Sequence, residues 1–167
     1  MVSGLGSKIV RPMSWSAGDD LGRMSKPVSH AQDKQQILAT LDRINEGLRT
    51  GSFSLADSAF LKSPETTFVG SESGKESRGY EAVSSLLRRV TAASHAYSWT
   101  WNEREVTIHG DMAWVYAQGT EHVRGSVHAD NPYRLTAILE KVDGQWLTVH
   151  YHGAEPITPV EQAQIAS

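Results

Sequence analysis

The sequence predicts an α+β fold in which a curved antiparallel sheet wraps over three N-terminal helices. Three observations lead there. Ile37, Leu41, Ile44 and Leu48 recur at helical spacing. After Ser94 the pattern changes to long alternating strands. The last two of these meet at a tight turn, Asp143-Gly144, within the stretch Arg134 to Pro156. Helices first and a meander last is the order of an α+β domain.

The elements follow in turn. Ser29 with Gln32 three residues on has the form of a capping box, and the first helix runs to Gly51. Ser54-x-x-Asp57 is a second capping box, opening a short helix that Pro64 closes. Thr66 to Val69 is a short strand, and Lys75 to Arg78 returns after the turn cluster Gly70 to Gly74. Gly79 precedes a third helix with Val83, Leu86, Leu87 and Val90 on one side. Long strands are expected over 97–109, 111–127, 133–141 and 145–153. Residues 1–28 hold Gly, Pro and Ser without sustained period and are expected to form a flexible extension; 157–167 are expected to be an arm.

The bulk numbers bound the function classes. The chain has 167 residues, enough for one domain with a real core. A net charge of -3 argues against nucleic acid or an anionic membrane as partner. With no cysteine, disulfides, thiolate metal sites and thiol catalysis are excluded. No apolar run approaches the length of about 18 residues that a membrane span needs. Lys8 and Arg11 are not followed by an apolar signal-peptide core, so a cytoplasmic location is expected. There is no phosphate loop, dinucleotide motif or nucleophile elbow, and no cofactor is expected.

Period-two counting sorts the strand faces. A turn at Gly110-Asp111 pairs Ile108 with Ala113, Val106 with Val115 and Arg104 with Ala117. Continued without interruption, the count pairs Asn102 with Gly119 and Thr100 with Glu121. For the last hairpin a bulged three-residue loop, pairing Leu139 with Leu147, is preferred over a two-residue loop that pairs Leu139 with Thr148. One face then carries Thr100, Asn102, Arg104, Gly119, Glu121, Leu135 and Tyr151, with Ala117 and Gly119 leaving room for a ligand. Phe60 and Phe68 would complete the pocket wall. The other face carries Trp99, Trp101, Trp114, Tyr116 and His122, and with them Arg134, Trp146, His150 and His152. A monomer rarely exposes so many aromatic side chains together, so this face is expected to be a homodimer interface.

The segments Gly110-Asp111-x-Ala113-Trp114-Val115, Arg134-x-Thr136, Asp143-Gly144-x-Trp146 and His150-x-His152 resemble the nuclear transport factor 2-like superfamily, and within it the SnoaL-like domains, over residues 29–156. Asp143 to Gly153 is also similar to the association domain of calcium/calmodulin-dependent protein kinase II. Val69-Gly70-Ser71-Glu72 followed by Gly79 resembles ketosteroid isomerases. The resemblance implies a cone-shaped α+β barrel with a concave pocket and dimers formed through the convex sheet. It also implies departures. The isomerases carry their catalytic Asp where this chain has Thr67, and the kinase domain lines its pocket with Arg where this chain has Ala137, Gly119 and Gly153.

Glu121 is the expected general base. Arg104 and Tyr151 would stabilise developing negative charge or clamp a ligand carboxylate. The alternative is a structural Glu–Arg pair at the cone mouth. An apolar or acidic small molecule suits such a site. His150 and His152 could share a metal with His122 or Glu103, but interface packing is the preferred reading, so no metal is expected. Two functions remain open: an acid–base lyase, isomerase or cyclase, and a non-catalytic association module.

Overall fold

Helix α1 (Pro27–Thr50) turns Ile37, Leu41, Ile44 and Leu48 to one side, and all four are buried. The computed structural model describes residues 27–156, with side chains from residue 30. The expected extension up to residue 26 and the arm over 157–167 lie outside the described residues. Ser29 stands inside the first turn of α1, not ahead of it. Helix α2 (Leu55–Ala59) does start after Ser54, but the Ser54 side chain makes no capping bond. Asp57 instead accepts from the Tyr80 hydroxyl at 2.7 Å and pairs with Lys62 at 2.9 Å. Helix α3 (Tyr80–Thr91) buries Val83, Leu86 and Leu87.

The strands are β1 (Thr67–Val69), β2 (Glu76–Arg78), β3 (His95–His109), β4 (Met112–Gly125), β5 (Ala129–Val142) and β6 (Gln145–Ala154). They form one sheet in the order β2-β1-β6-β5-β4-β3. The two short strands therefore join the four-stranded meander. Every pairing is antiparallel except β1 with β6, which is parallel. The sheet is curved, as expected, with β2 and β3 as its edges, so the cone-shaped barrel that the resemblance implies is an open cone and not a closed barrel.

Two bulges set which side chains enter that cone. The turn Gly110-Asp111 pairs Ile108 with Ala113, Val106 with Val115 and Arg104 with Ala117, in agreement with the period-two count. The register then shifts between Trp101 and Glu103, leaving Asn102 extra; Trp101 pairs with Gly119, Thr100 with Thr120 and Trp99 with Glu121. One added residue moves the rest of a strand to the opposite faces. Trp99 and Trp101 consequently turn toward the helices, and Thr100 turns away.

At the last hairpin, Asp143 (φ 50°) and Gly144 (φ 78°) form a two-residue turn that pairs Leu139 with Thr148, so the bulged loop is corrected. A second shift, at Val149, brings Ala137 opposite Tyr151. Trp146 and Tyr151 therefore both face inward, where Trp146 is only 1% exposed. Its indole N–H donates to Asp33 (3.0 Å), beside Lys141 Nζ (2.6 Å), and its carbonyl accepts from the Thr40 hydroxyl (2.8 Å). Burial works against the Asp33 charge, but the Lys141 and Trp146 hydrogen bonds outweigh it and hold the carboxyl below its usual range.

The long edge strand β3 is clamped by one side chain. Asn45 on α1 donates to the Trp99 carbonyl and accepts from the Trp99 N–H, each at 2.9 Å. Loss of both bonds at this half-buried position makes Asn45→Ala cost about 1–3 kcal/mol, read from urea denaturation. An unchanged midpoint would show that water replaces the amide.

Candidate functional site

Strand β4 runs without interruption, so Ala113, Val115, Ala117, Gly119 and Glu121 share its inner face. Glu121 is thereby placed inside the cone at 4% exposure. Burial raises its carboxyl to about 7, and the charges of Glu155 and Glu72 push the same way. The Asn131 side chain and the Trp99 indole N–H partly offset this. The indole lies near the carboxylate without hydrogen-bonding geometry: the buried Nε1 of Trp99, like that of Trp101, has no partner among the described residues.

A cavity of about 40 Å³ adjoins Glu121, enough for a few waters but not for a whole substrate. Tyr97, Trp99 and Tyr133 are among its walls, with Leu48, Phe68 and Val90; the segment Gly70–Glu72 and Lys75 edges it. The expected roominess beside Ala117 and Gly119 is thus filled by aromatic rings. Trp99 and Trp101 stack at 6.2 Å, and Tyr133 packs on Trp99 at 5.3 Å. Gly153 makes this packing possible, since a Cβ there would stand 1.7 Å from the Tyr133 hydroxyl.

Tyr133 donates toward the Tyr151 hydroxyl, and burial pushes both phenols far up, so both stay neutral. Tyr151 is stacked on Phe68 at 4.8 Å, behind the cavity wall; Tyr133 borders the cavity itself. At the mouth, the Tyr97 hydroxyl donates to Glu72 (3.0 Å) and lies 3.0 Å from His95 Nε2. Ser71 donates to Glu155 at 2.7 Å.

The other expected residues are placed as follows. Arg104 pairs with Asp42 on α1 at 2.7 Å and does not line the cavity, so neither the Glu–Arg pair nor an arginine clamp is present. Thr100 faces outward, its hydroxyl 2.9 Å from His122 Nε2, and is removed from the pocket. Asn102 and Gly119 border a separate outer groove with Gln118, Thr120 and Arg134. Leu135 and Phe60 are core residues, and Phe68 is the ligand candidate that lines the cavity.

On the outer side stand Trp114, Tyr116, His122, Arg134, His150 and His152; Trp99, Trp101 and Trp146 do not. His122 Nδ1 lies 2.8 Å from Asp130, and His150 Nδ1 lies 2.5 Å from the Thr67 hydroxyl. Burial lowers His150, as do His152 and Arg78 nearby. Among the described residues no group of three or more His, Asp or Glu is placed to hold a metal. No helix among them is long and apolar enough to cross a membrane.

Among the cavity residues, Trp99 was expected on the interface face, and Tyr133, Tyr97, Glu72 and Lys75 were not foreseen as site residues. Tyr133 shares the parity of Leu135, Ala137 and Leu139, a signal that was present. Trp99 could be found only by knowing the Asn102 bulge.

Solved structures with the same fold include a protein named as a candidate dehydratase of the NTF2-like family from Streptomyces avermitilis, 14% identical, covering 77% of this chain and 99% of that one (TM-score 0.69). A candidate calcium/calmodulin-dependent protein kinase II association domain from Xanthomonas campestris is 21% identical over 73% of this chain and 86% of its own (TM-score 0.61). A candidate ketosteroid isomerase from Shewanella frigidimarina is 20% identical over 71% and 94% (TM-score 0.58). At these identities the likeness is one of fold. No curated protein sequence matches the chain. The SnoaL-like domain model matches residues 37–158, which takes in all four long strands, the cavity and Glu121, and the chain belongs to that family.

Proposed function

We propose that the chain is a small-molecule pocket protein in which Glu121 performs acid–base chemistry of the lyase, isomerase or cyclase kind without a cofactor. The observation that carries this is a buried carboxyl beside a cavity, lifted to about 7. Near neutral pH such a group exists in both forms, which lets it take a proton and return it. The Tyr133 hydroxyl gives its one proton to Tyr151 and offers the cavity only an acceptor, and Arg104 is engaged with Asp42, so Glu121 carries the proton chemistry without the anion-stabilising partners expected of Arg104 and Tyr151. An acidic substrate is disfavoured, because Arg104 is engaged with Asp42 and the cavity is flanked by Glu72 and Glu155.

The test is native mass spectrometry of the full chain beside its Glu121→Gln variant. A retained small molecule in the first and its loss from a still-folded second supports the reading. Equal retention, or turnover equal to wild type once a substrate is in hand, overturns the role of Glu121.

A second reading, a non-catalytic association module, is favoured by the outer face, where Trp114 is 49% and Met112 40% exposed. Both readings propose a homodimer through that face. Trp114→Glu is then expected to halve the native mass, and an unchanged mass sinks this interface.

A further inference from the structure

Glu121 and Glu72 line the cavity, and Glu155 is close enough to raise Glu121. The cation in the lining is Lys75, whose Nζ lies 3.7 Å from Glu72; no arginine is there. The walls between these carboxylates are the rings of Phe68, Tyr97, Trp99 and Tyr133. Aromatic faces and carboxylates together favour an organic cation, through the ring quadrupoles and through direct charge. An anion entering the same space meets the charges of Glu72 and Glu155, and that of Glu121 once it is ionised, against the lining cation Lys75.

Trp99 adds an independent demand. Its side chain is 8% exposed, it lines the cavity, and its buried indole N–H lies near the Glu121 carboxylate without a hydrogen-bond partner. A buried donor left unpaired is costly, so whatever occupies the cavity gains by presenting an acceptor there. A carboxylate and an unpaired donor close together ask for a ligand that carries a positive nitrogen and an oxygen near one another.

We propose that the cavity takes the head group of a protonated amine bearing a hydroxyl, ether or carbonyl oxygen next to its nitrogen, with the ammonium toward Glu121 and Glu72 and the oxygen on Trp99 Nε1. This rests on the pocket reading above and names its ligand class. The small volume admits the head group, and the remainder of the molecule lies at the mouth between Gly70–Lys75 and Val90. Binding also moves a proton. The groups facing Glu121 are Glu72 and Lys75 from the turn after β1, Tyr97 from β3, Tyr133 from β5, and Tyr151 and Glu155 from β6 and its end. The flanking positions from α1 and α3 are Leu48 and Val90, which carry no charge. An ammonium arriving among these groups favours the charged carboxylate, so Glu121 gives up its proton to solvent.

The test uses three probes of one shape: 2-amino-1-phenylethanol, 1-phenyl-1,2-ethanediol and mandelate. Each is titrated calorimetrically into the full chain at pH 7 in two buffers of different ionisation enthalpy, with the Trp99 indole resonance followed by NMR. The amine is expected to bind at least about tenfold more tightly than the diol, with mandelate weakest, proton release and a shifted indole signal. Glu72→Gln, at an exposed position, should weaken the amine severalfold and the diol much less, so that the preference for the amine narrows. Glu121→Gln should abolish the proton release. Diol or mandelate binding as tightly as the amine, with the indole signal still moving, overturns the amine class and leaves the pocket reading standing. An indole signal that none of the probes moves overturns both.

Discussion

Folded stability is expected to fall as pH rises from about 4.5 to about 7, and Glu121→Gln to remove much of that fall. The folded carboxyl is raised to about 7 from an ordinary value of 4.5. Between those values the folded state holds a proton that the unfolded chain has released, so each step up in pH favours unfolding. Below about 4.5 both states are protonated and the effect vanishes; above about 7 it is fully present as a penalty. A shift of this size corresponds to about 3 kcal/mol at most, and water reaching the carboxylate through the cavity lowers it toward about 2 kcal/mol. Histidines and other carboxylates titrate in both proteins, so the difference between their urea-denaturation profiles isolates Glu121. Parallel profiles across this window would mean that the carboxyl is ionised in the folded protein, and its acid–base role would fall with it.

Gly119→Ala is expected to cost at least about 3 kcal/mol or to prevent folding. A Cβ at this position would stand 2.0 Å from the Thr100 carbonyl oxygen and 2.9 Å from both the Thr100 carbonyl carbon and Trp101 Cα. These are backbone atoms of the neighbouring strand, pressed onto Gly119 where β3 bulges at Asn102. No flexible side chain end can move aside. Thermal unfolding would measure the loss, and a drop below about 1 kcal/mol would show that the bulge can be expelled. The glycine taken from sequence as ligand space is space for the next strand.

The same bulge marks how far the sequence could be followed. Helical spacing located α1 and α3, and alternation located all four long strands, because each signal is local. Glu121 was legible because β4 keeps strict alternation from Ala113 onward. The interior lining was not, because period two has no memory for an extra residue. Asn102 turned Thr100 out and Trp99 and Trp101 in; the two-residue turn put Trp146 inside, and Val149 kept Tyr151 on the inner face where it was expected. Neither position carries a glycine or proline to announce it. Arg104 failed for a different reason. Its face was right, but its partner Asp42 lies on a helix whose placement along β3 is a tertiary fact.

The Asn45 clamp has a consequence beyond the stability of one molecule. A long strand at the rim of an open sheet displays a row of free amides and carbonyls, which is a template for growth by strand addition from another molecule. At Trp99 both groups of that rim are already bound by Asn45. A side-chain amide imitates the next strand for a single residue and then stops, since it has no chain to continue. The rim is thereby interrupted about a third of the way along β3, which works against strand addition at that point.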